Sequence, residues 1–199
     1  MRALKIVGIT GGVGAGKSEI MSFLARQYKA KVVRADEVGH LVMQPGKACY
    51  MRLLSLLNDD ILSEDGTIDR RRMAEKIFDD PGLLNSVNSI IHPAVKEYVL
   101  EDMAAARDSG RYDFYFLEAA LLIEEGYDKI CDELWYIYAS SDVRRQRLRE
   151  SRGYSDEKIN SIMANQLTDD MFRRYAAHII DNSGTIEESY RQIEEVIHG

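Results

Sequence analysis

Residues 6–18 read Ile-Val-Gly-Ile-Thr-Gly-Gly-Val-Gly-Ala-Gly-Lys-Ser, and this stretch decides the fold. It joins a short apolar run to the spacing G-x-x-x-x-G-K-S, and apolar residues at helical spacing follow. A strand, a glycine-rich loop and a helix in this order are typical of a phosphate-binding loop. A plain glycine-rich turn is the simpler alternative. We prefer the phosphate-binding interpretation because both the spacing and its context match the motif.

The fixed positions of this loop each have a chemical role. Glycine lets the backbone approach an anion closely, and consecutive N–H groups at a helix N-terminus attract phosphate. Lys17 adds a mobile positive charge that reaches the outer phosphates, and the Ser18 hydroxyl is a ligand for Mg²⁺. The predicted polyphosphate-binding residues are Gly12, Val13, Gly14, Ala15, Gly16, Lys17 and Ser18.

Composition narrows the class of protein. The 199 residues are 45% apolar and 30% charged, as in ordinary soluble globular proteins. A net charge of −7 argues against a general nucleic-acid binder. The N-terminus shows no long apolar segment and no cleavage site, so we expect no signal peptide, no membrane partner and a cytosolic protein. Cys49 and Cys131 match no metal or redox spacing, which indicates reduced thiols. The oligomeric state, monomer or weak homo-oligomer, is not determined by the sequence.

The segment after the loop predicts a helix from Lys17 to about residue 29 and a second strand over residues 31–35. This strand leads into Asp36. Ligands of open α/β sheets bind beyond the carboxyl ends of the strands, so Asp36 is a candidate base for a substrate hydroxyl attacking a γ-phosphate. The alternative is that Asp36 caps a helix beginning at Glu37.

Residues 36–109 have a largely helical pattern with no convincing central strand. A crossover of this length exceeds an ordinary βαβ connection, so we interpret it as an inserted helical domain that binds the substrate. Within it, residues 69–72 (Asp-Arg-Arg-Arg) open a helix, and Pro93 is expected to kink or restart one. The preceding His92 has a structural and a functional interpretation, of which the structural is the commoner for a lone histidine.

Further apolar runs predict buried strands over residues 112–117 and 133–138. Residues 177–181 predict a last short strand, and a final amphipathic helix follows it. Glu118 follows the first of these strands, where it either binds Mg²⁺ through water or orients a helix. These elements predict an α/β fold of the phosphate-loop NTPase type, with three layers around a central parallel sheet.

A run of arginines between residues 142 and 152 is either a solvated helix face or a set of phosphate contacts. Gly153 breaks this helix and another follows, which suits a mobile helical lid. The predicted division is therefore a nucleotide-binding core over residues 1–35, 110–140 and 176–199, a helical domain over 36–109, and a lid over 141–175. The arginines of the run are Arg144, Arg145, Arg147, Arg149 and Arg152.

Taken in order, the motifs of the chain resemble those of the dephospho-coenzyme A kinases over nearly its whole length. The phosphate-binding loop itself is shared by many NTPases, whereas the ordered set of the other motifs is far more specific. The matching motifs are Gly8-Ile9-Thr10-Gly11-Gly12, Ala35-Asp36 with Pro45-Gly46, Asp65-Gly66-Thr67-Ile68-Asp69-Arg70, Ile91-His92-Pro93, Leu121-Leu122-Ile123-Glu124, Arg147 with Arg152, and Asp181-Asn182-Ser183-Gly184.

This resemblance implies ATP-dependent transfer to the ribose 3′-hydroxyl of dephospho-CoA. It implies Asp36 as the base and Arg147 as a lid arginine on the phosphates, so the catalytic candidates are Asp36, Lys17 and Arg147. Arg152 joins the nucleotide-binding candidates. The substrate-binding candidates are Asp36, Arg70, His92 and Glu118. The chain departs from the family at Arg34, where a second acidic residue is usual, and at Ala120, where a proline is usual.

Two alternatives remain open at the level of sequence. A nucleoside monophosphate kinase would share the loop, the core and an arginine-bearing lid, but the long helical insertion disfavours it. A regulatory GTPase would use the D-x-x-G pattern present at Asp36–Gly39. The spacing between the loop and this pattern is too short to hold a switch segment. The sequence also has no N-K-x-D motif, which GTPases use to recognise guanine.

Overall fold

A computed structural model describes residues 3–199 of the chain. The strands are β1 (Lys5–Thr10), β2 (Ala30–Arg34), β3 (Phe114–Glu118), β4 (Glu133–Tyr138) and β5 (His178–Asp181). The helices are α1 (Lys17–Gln27), α2 (Ala35–Val42), α3 (Ala48–Leu57), α4 (Arg70–Ile77), α5 (Pro81–Ser109), α6 (Ser141–Arg152), α7 (Asp156–Ala164), α8 (Asp169–Tyr175) and α9 (Ile186–His198). Short 3₁₀ turns cover Asp59–Ile61 and Tyr127–Lys129.

The strands form one five-stranded sheet in the order β2-β3-β1-β4-β5. β1 lies at its centre and pairs in parallel with β3 and β4, and β4 pairs in parallel with β5. At Gly8 the register places Leu117 on one side and Leu134 on the other. The predicted α/β fold with a central parallel sheet is confirmed.

Alternating side chains of β4 show that helices cover both faces of the sheet. Trp135 and Ile137 belong to one apolar cluster with residues of α1 and α9. Tyr136 points to the opposite face, because side chains alternate along a strand. There its ring stacks on Phe172 of α8 with centroids 4.8 Å apart. The sheet is therefore the middle of three layers.

The described residues divide into two compact units. One consists of the residues up to Val33 together with Ala106–Gly199, and the other of Arg34–Ala105. The second unit is helical and holds α2, α3, α4 and most of α5, with one isolated antiparallel bridge between Leu62 and Ile68. Residues 141–175, predicted as a lid, fall within the unit that contains the sheet, and their function as a lid stays a prediction.

Several boundaries differ from those predicted, and one helix was missed. The apolar run 112–117 forms a strand only from Phe114, and this strand extends to Glu118, one residue beyond the run. The missed helix is α8, whose start is capped by the Thr168 hydroxyl accepting from the Met171 N–H. A threonine followed by two aspartates is a helix-start signal that could have revealed it.

α5 runs without interruption through Pro93, so the predicted restart does not occur. Proline cannot donate to the carbonyl four residues earlier, at Ser89. The helix continues because its apolar side is fixed by burial on both sides of the proline, at Val87 and Ile90 before it and at Val95 and Val99 after it. None of the helices within residues 3–199 has an apolar stretch long enough to span a lipid bilayer.

Both cysteines should resist alkylation in the native protein. Burial raises the pKa of Cys131 to about 12, with the carboxylates of Asp132 and Asp128 adding to the effect. Burial also raises the pKa of Cys49. Because the thiolate is the reactive form, iodoacetamide at pH 8 should leave both thiols unmodified until urea unfolds the chain. Mass spectrometry of native and unfolded samples checks this, and one label on the native protein would contradict it.

Candidate active site

The loop between β1 and α1 is packed tightly against side chains from distant elements. Gly16 has φ 90° and is the N-cap of α1. A Cβ there would lie 2.3 Å from the Asn182 Nδ2 atom, and a Cβ on Gly12 would lie 2.2 Å from the Arg144 Nη2 atom. Both distances are far below van der Waals contact, so a Cβ at either position would have to displace the Asn182 or Arg144 side chain.

Lys17, the first residue of α1, lies folded back over the loop. Its Nζ atom donates to the Gly11 carbonyl at 2.7 Å and is 3.7 Å from the Glu118 Oε1 atom. Glu118 is the last residue of β3, and both side chains are largely buried. The structure thus brings together two residues that the sequence singled out separately. Phosphate oxygens arriving at the loop would offer this ammonium group stronger acceptors than a carbonyl.

Asn182 and Arg147 hold the Ala15 carbonyl of the loop. Asn182 Nδ2 donates to this carbonyl at 2.7 Å, and Arg147 Nη1 donates to it at 3.4 Å. Arg147 Nη2 also donates to the Asn182 carbonyl at 2.9 Å, and the Ser189 hydroxyl donates to Asn182 Oδ1 at 2.8 Å. The guanidinium of Arg147 therefore lies at the edge of the loop, and its role on phosphates stays a prediction.

The arginines of α6 have different environments. Arg144 is buried, so the interpretation of the run as a solvated helix face is wrong for this residue. Burial lowers the pKa of the Arg144 guanidinium, which nevertheless stays charged because the ordinary value for arginine is so high. Arg149 forms an exposed ion pair with Asp156 at 2.6 Å. Arg152 is exposed beside the Tyr154 ring, and its role in nucleotide binding stays a prediction.

Ser18 lies in the first turn of α1 and is exposed. Within residues 3–199, no group of three or more His, Cys, Asp or Glu side chains is arranged to hold a metal ion. The oxygen donors near the loop, a serine hydroxyl and the Glu118 carboxylate, suit Mg²⁺ that is bound mainly through nucleotide phosphates. The residues present therefore fit the predicted ion.

In the helical unit, Asp36 is the second residue of α2 and its side chain is exposed. The helix begins at Ala35 with Arg34 as its N-cap, and no side chain caps it. The alternative that Asp36 caps a helix beginning at Glu37 is therefore wrong. Arg34, one of the departures from the family pattern, pairs with Glu37 at 3.0 Å.

Arg70 and His40 lie beside one another in the same unit. Arg70 is the first residue of α4, and its Nη1 atom is hydrogen-bonded to the His40 Nε2 atom. His40 lies four residues after Asp36 on α2, so the two side chains share one face of that helix. The unit thus presents a carboxylate next to an arginine and a histidine. His92 lies in the middle of α5 and is half-buried.

Three residues that touch the loop are absent from the predicted site residues. They are Arg144 as an individual residue, Gln166 and Asn182. Gln166 accepts from the Val13 N–H at 3.2 Å from a position 153 residues further along the chain. Only Asn182 carried a usable signal, since it belongs to the polar turn directly after β5.

Comparison with known proteins found similarity over nearly the whole chain. The family described as dephospho-CoA kinase matches residues 5–188. A dephospho-CoA kinase of Dehalococcoides mccartyi is 32% identical over 93% of this chain and 92% of its own length. One of Aquifex aeolicus is 32% identical over 97% of this chain and 96% of its own. The crystal structure of TT1252 from Thermus thermophilus has a TM-score of 0.81 at 25% identity, covering 98% of this chain and 97% of the other.

The match begins at β1 and ends within α9, so it includes the loop, the residues that hold it and the helical unit with Asp36 and Arg70. A phosphate-binding loop alone would leave many kinases and NTPases open. Because the similarity extends over both units, the chain belongs to the dephospho-CoA kinase family.

Proposed function

We propose that this chain transfers the γ-phosphoryl group of ATP to the ribose 3′-hydroxyl of dephospho-CoA, giving coenzyme A and ADP. The observation that carries the proposal is the family match over residues 5–188, which includes a complete phosphate-binding loop. In the reaction a bond forms between the 3′-oxygen and the γ-phosphorus, and the bond from that phosphorus to ADP breaks. The proton of the 3′-hydroxyl passes to a base.

On the donor side, the N–H groups of the loop and the Lys17 ammonium bind the phosphates of ATP. Arg147, already at the loop edge, neutralises the charge that develops on the transferred group. The Ser18 hydroxyl would hold Mg²⁺ together with the phosphates, and Glu118 would contact the ion through water. When bound, this ion screens the phosphate charges and polarises the γ-phosphoryl group. The support for these roles is the residue types, their positions on β3, α1 and α6, and the contacts of Lys17 and Arg147.

On the acceptor side, Asp36 takes the proton of the 3′-hydroxyl, and Arg70 and His92 bind dephospho-CoA. Two features support the assignment of Asp36 and Arg70, whereas His92 is assigned from the family resemblance. Asp36 is exposed two residues after the end of β2, and Arg70 is exposed on the same helical unit. A cationic group there matches an acceptor that carries phosphate groups.

We also propose that the enzyme works in the cytosol on small molecules, without a nucleic-acid or membrane partner. The net charge of −7 and two free thiols, at Cys49 and Cys131, support this setting. Size-exclusion chromatography with light scattering would decide between a monomer and a weak homo-oligomer.

A coupled assay for ADP release tests the proposed function. Purified protein is given ATP, Mg²⁺ and dephospho-CoA, and parallel reactions replace dephospho-CoA by adenosine or by each nucleoside monophosphate. Among these acceptors, we expect only dephospho-CoA to support ADP release. The activity should be lost when EDTA removes Mg²⁺, and mass spectrometry should identify a new 3′-phosphate on the product. Activity confined to a nucleoside monophosphate would overturn the proposal. Binding of GTP in preference to ATP would favour the GTPase alternative.

A further inference from the structure

We propose that Arg144 and Gln166 position the phosphate-binding loop by holding both main-chain polar groups of Val13, and that ATP affinity depends on this pair. We call the two side chains the Val13 clamp. The inference rests on the proposed function and adds two positioning residues to it. Neither belongs to the loop motif, and both act on the nucleotide through the loop.

The hydrogen bonds of the clamp form a closed set. Arg144 Nε donates to the Val13 carbonyl at 2.9 Å. The Val13 N–H donates to Gln166 Oε1 at 3.2 Å, and Arg144 Nη2 donates to the same oxygen at 2.6 Å. The amide oxygen of Gln166 thus joins the loop to the guanidinium group. Rotation of the Val13 backbone would break two of these bonds together.

The guanidinium also packs directly on the loop backbone. A Cβ on Gly12 would lie 2.2 Å from Arg144 Nη2, and a Cβ on Gly14 would lie 2.9 Å from the Arg144 carbonyl. Arg144 therefore touches the glycines on both sides of Val13. Glycine has more conformational freedom than any other residue, so a loop with this composition needs contacts from outside to hold one conformation.

The groups around Arg144 stabilise its charged guanidinium in a buried position. Its side chain is buried with only 8% of the residue exposed. Asp169, which accepts a hydrogen bond from the Tyr136 hydroxyl at 2.7 Å, and Tyr136 itself interact electrostatically with it. Burying a guanidinium is costly unless its donors are hydrogen-bonded, and the loop carbonyl and Gln166 accept from two of them.

The two clamp residues come from separate places in the chain after β4. Arg144 lies in α6, and Gln166 lies in the link between α7 and α8. If the clamp holds the binding-competent loop, its loss lets the loop populate other conformations. The apparent dissociation constant for ATP then rises in inverse proportion to the fraction of competent loops. A purely structural role would instead lower the melting temperature and leave that constant unchanged.

Titration calorimetry of ATP with Mg²⁺ against Gln166→Leu and Arg144→Met tests the clamp. We expect each variant to bind ATP roughly 10- to 100-fold more weakly, the range for losing a hydrogen bond to a charged group. The affinity for dephospho-CoA should stay as in the parent protein. Gln166→Glu should retain ATP binding, because a carboxylate accepts from both Arg144 and the Val13 N–H. Matched controls are Arg191→Met and Gln146→Leu, exposed residues of the same unit.

The double variant tests most directly whether Arg144 and Gln166 act as one unit. Residues of one hydrogen-bond network are non-additive, so Arg144→Met with Gln166→Leu should weaken binding little more than either change alone. Unchanged ATP affinity in both single variants, additive losses, or an equal loss of dephospho-CoA affinity would overturn the proposal. If Arg144→Met does not fold, the contrast between Gln166→Leu and Gln166→Glu decides. Nucleotide titration needs no acceptor, so a parent protein that binds ATP without phosphorylating dephospho-CoA would refute the function and leave this test intact.

Discussion

Replacing Asp36 by asparagine should lower the turnover number roughly 10²–10⁴-fold, the usual contribution of a general base. Asparagine has nearly the same shape as aspartate but cannot accept the proton of the attacking 3′-hydroxyl. The structure gives Asp36 no capping role, since α2 begins at Ala35 and no side chain caps it. The substitution should therefore leave the helix intact and affect kcat rather than the KM for either substrate.

Steady-state kinetics with dephospho-CoA, together with ATP titration, measures this effect. Glu37→Gln is the matched control, because Glu37 is the next residue of α2 and is also exposed. Its ion pair with Arg34 lies at the surface, where such pairs contribute little. Near-parental turnover in Asp36→Asn would remove this residue from the mechanism. An equal loss of turnover in Glu37→Gln would indicate that removing any negative charge from the first turn of α2 lowers activity.

Replacing Lys17 by alanine should lower kcat/KM for ATP roughly 10²–10³-fold, comparable to the loss of one preorganised charge-stabilising donor. The ammonium group donates to Gly11 in the loop and lies near Glu118. We expect these contacts to be exchanged for phosphate oxygens when ATP binds. Unlike Asp36→Asn, this change should weaken nucleotide binding itself, because the lost charge faces the donor substrate in the ground state as well as in the transition state.

ATP titration and initial rates over a range of ATP concentrations separate the two effects. Lys129→Ala is the control, since Lys129 is an exposed lysine of the same unit and lies outside the loop. Circular dichroism should show native secondary structure for Lys17→Ala. Unchanged ATP affinity together with an unchanged rate would contradict the assignment of the phosphate-binding loop.

Several elements could be predicted from the chain alone because their signals are local. The loop motif is a contiguous spacing, and β4 spans Glu133–Tyr138 as its apolar run indicates. α9 carries the predicted apolar stripe, and its start is fixed by a capping box at Thr185 and Glu188. The candidates Lys17 and Glu118 followed from their places at the start of a helix and the end of a strand. In each case neighbouring residues contain the whole signal.

The ordered set of motifs also led to the family. Asp36, Arg70 and Arg147 were identified only through that resemblance or through general rules for sheet edges, and their roles stay predictions. The structure added that Arg147 contacts the loop and that Arg70 contacts His40. His40 was missed because a histidine in a helical pattern has no signal of its own until the position of its neighbour is known.

The sequence by itself determined the phosphate-binding loop, the α/β class and the order of the strands along the chain. Only the tertiary structure decided which side chains hold the loop. Arg144 reaches Val13 across 131 residues, and Asn182 reaches Ala15 across 167. Arg144 lies in a run of similar arginines, and whether one of them faces water or the loop depends on how α6 packs. Such contacts join elements that are distant in the chain, so no local pattern encodes them. The close packing at Gly12 and Gly16 comes from these distant side chains.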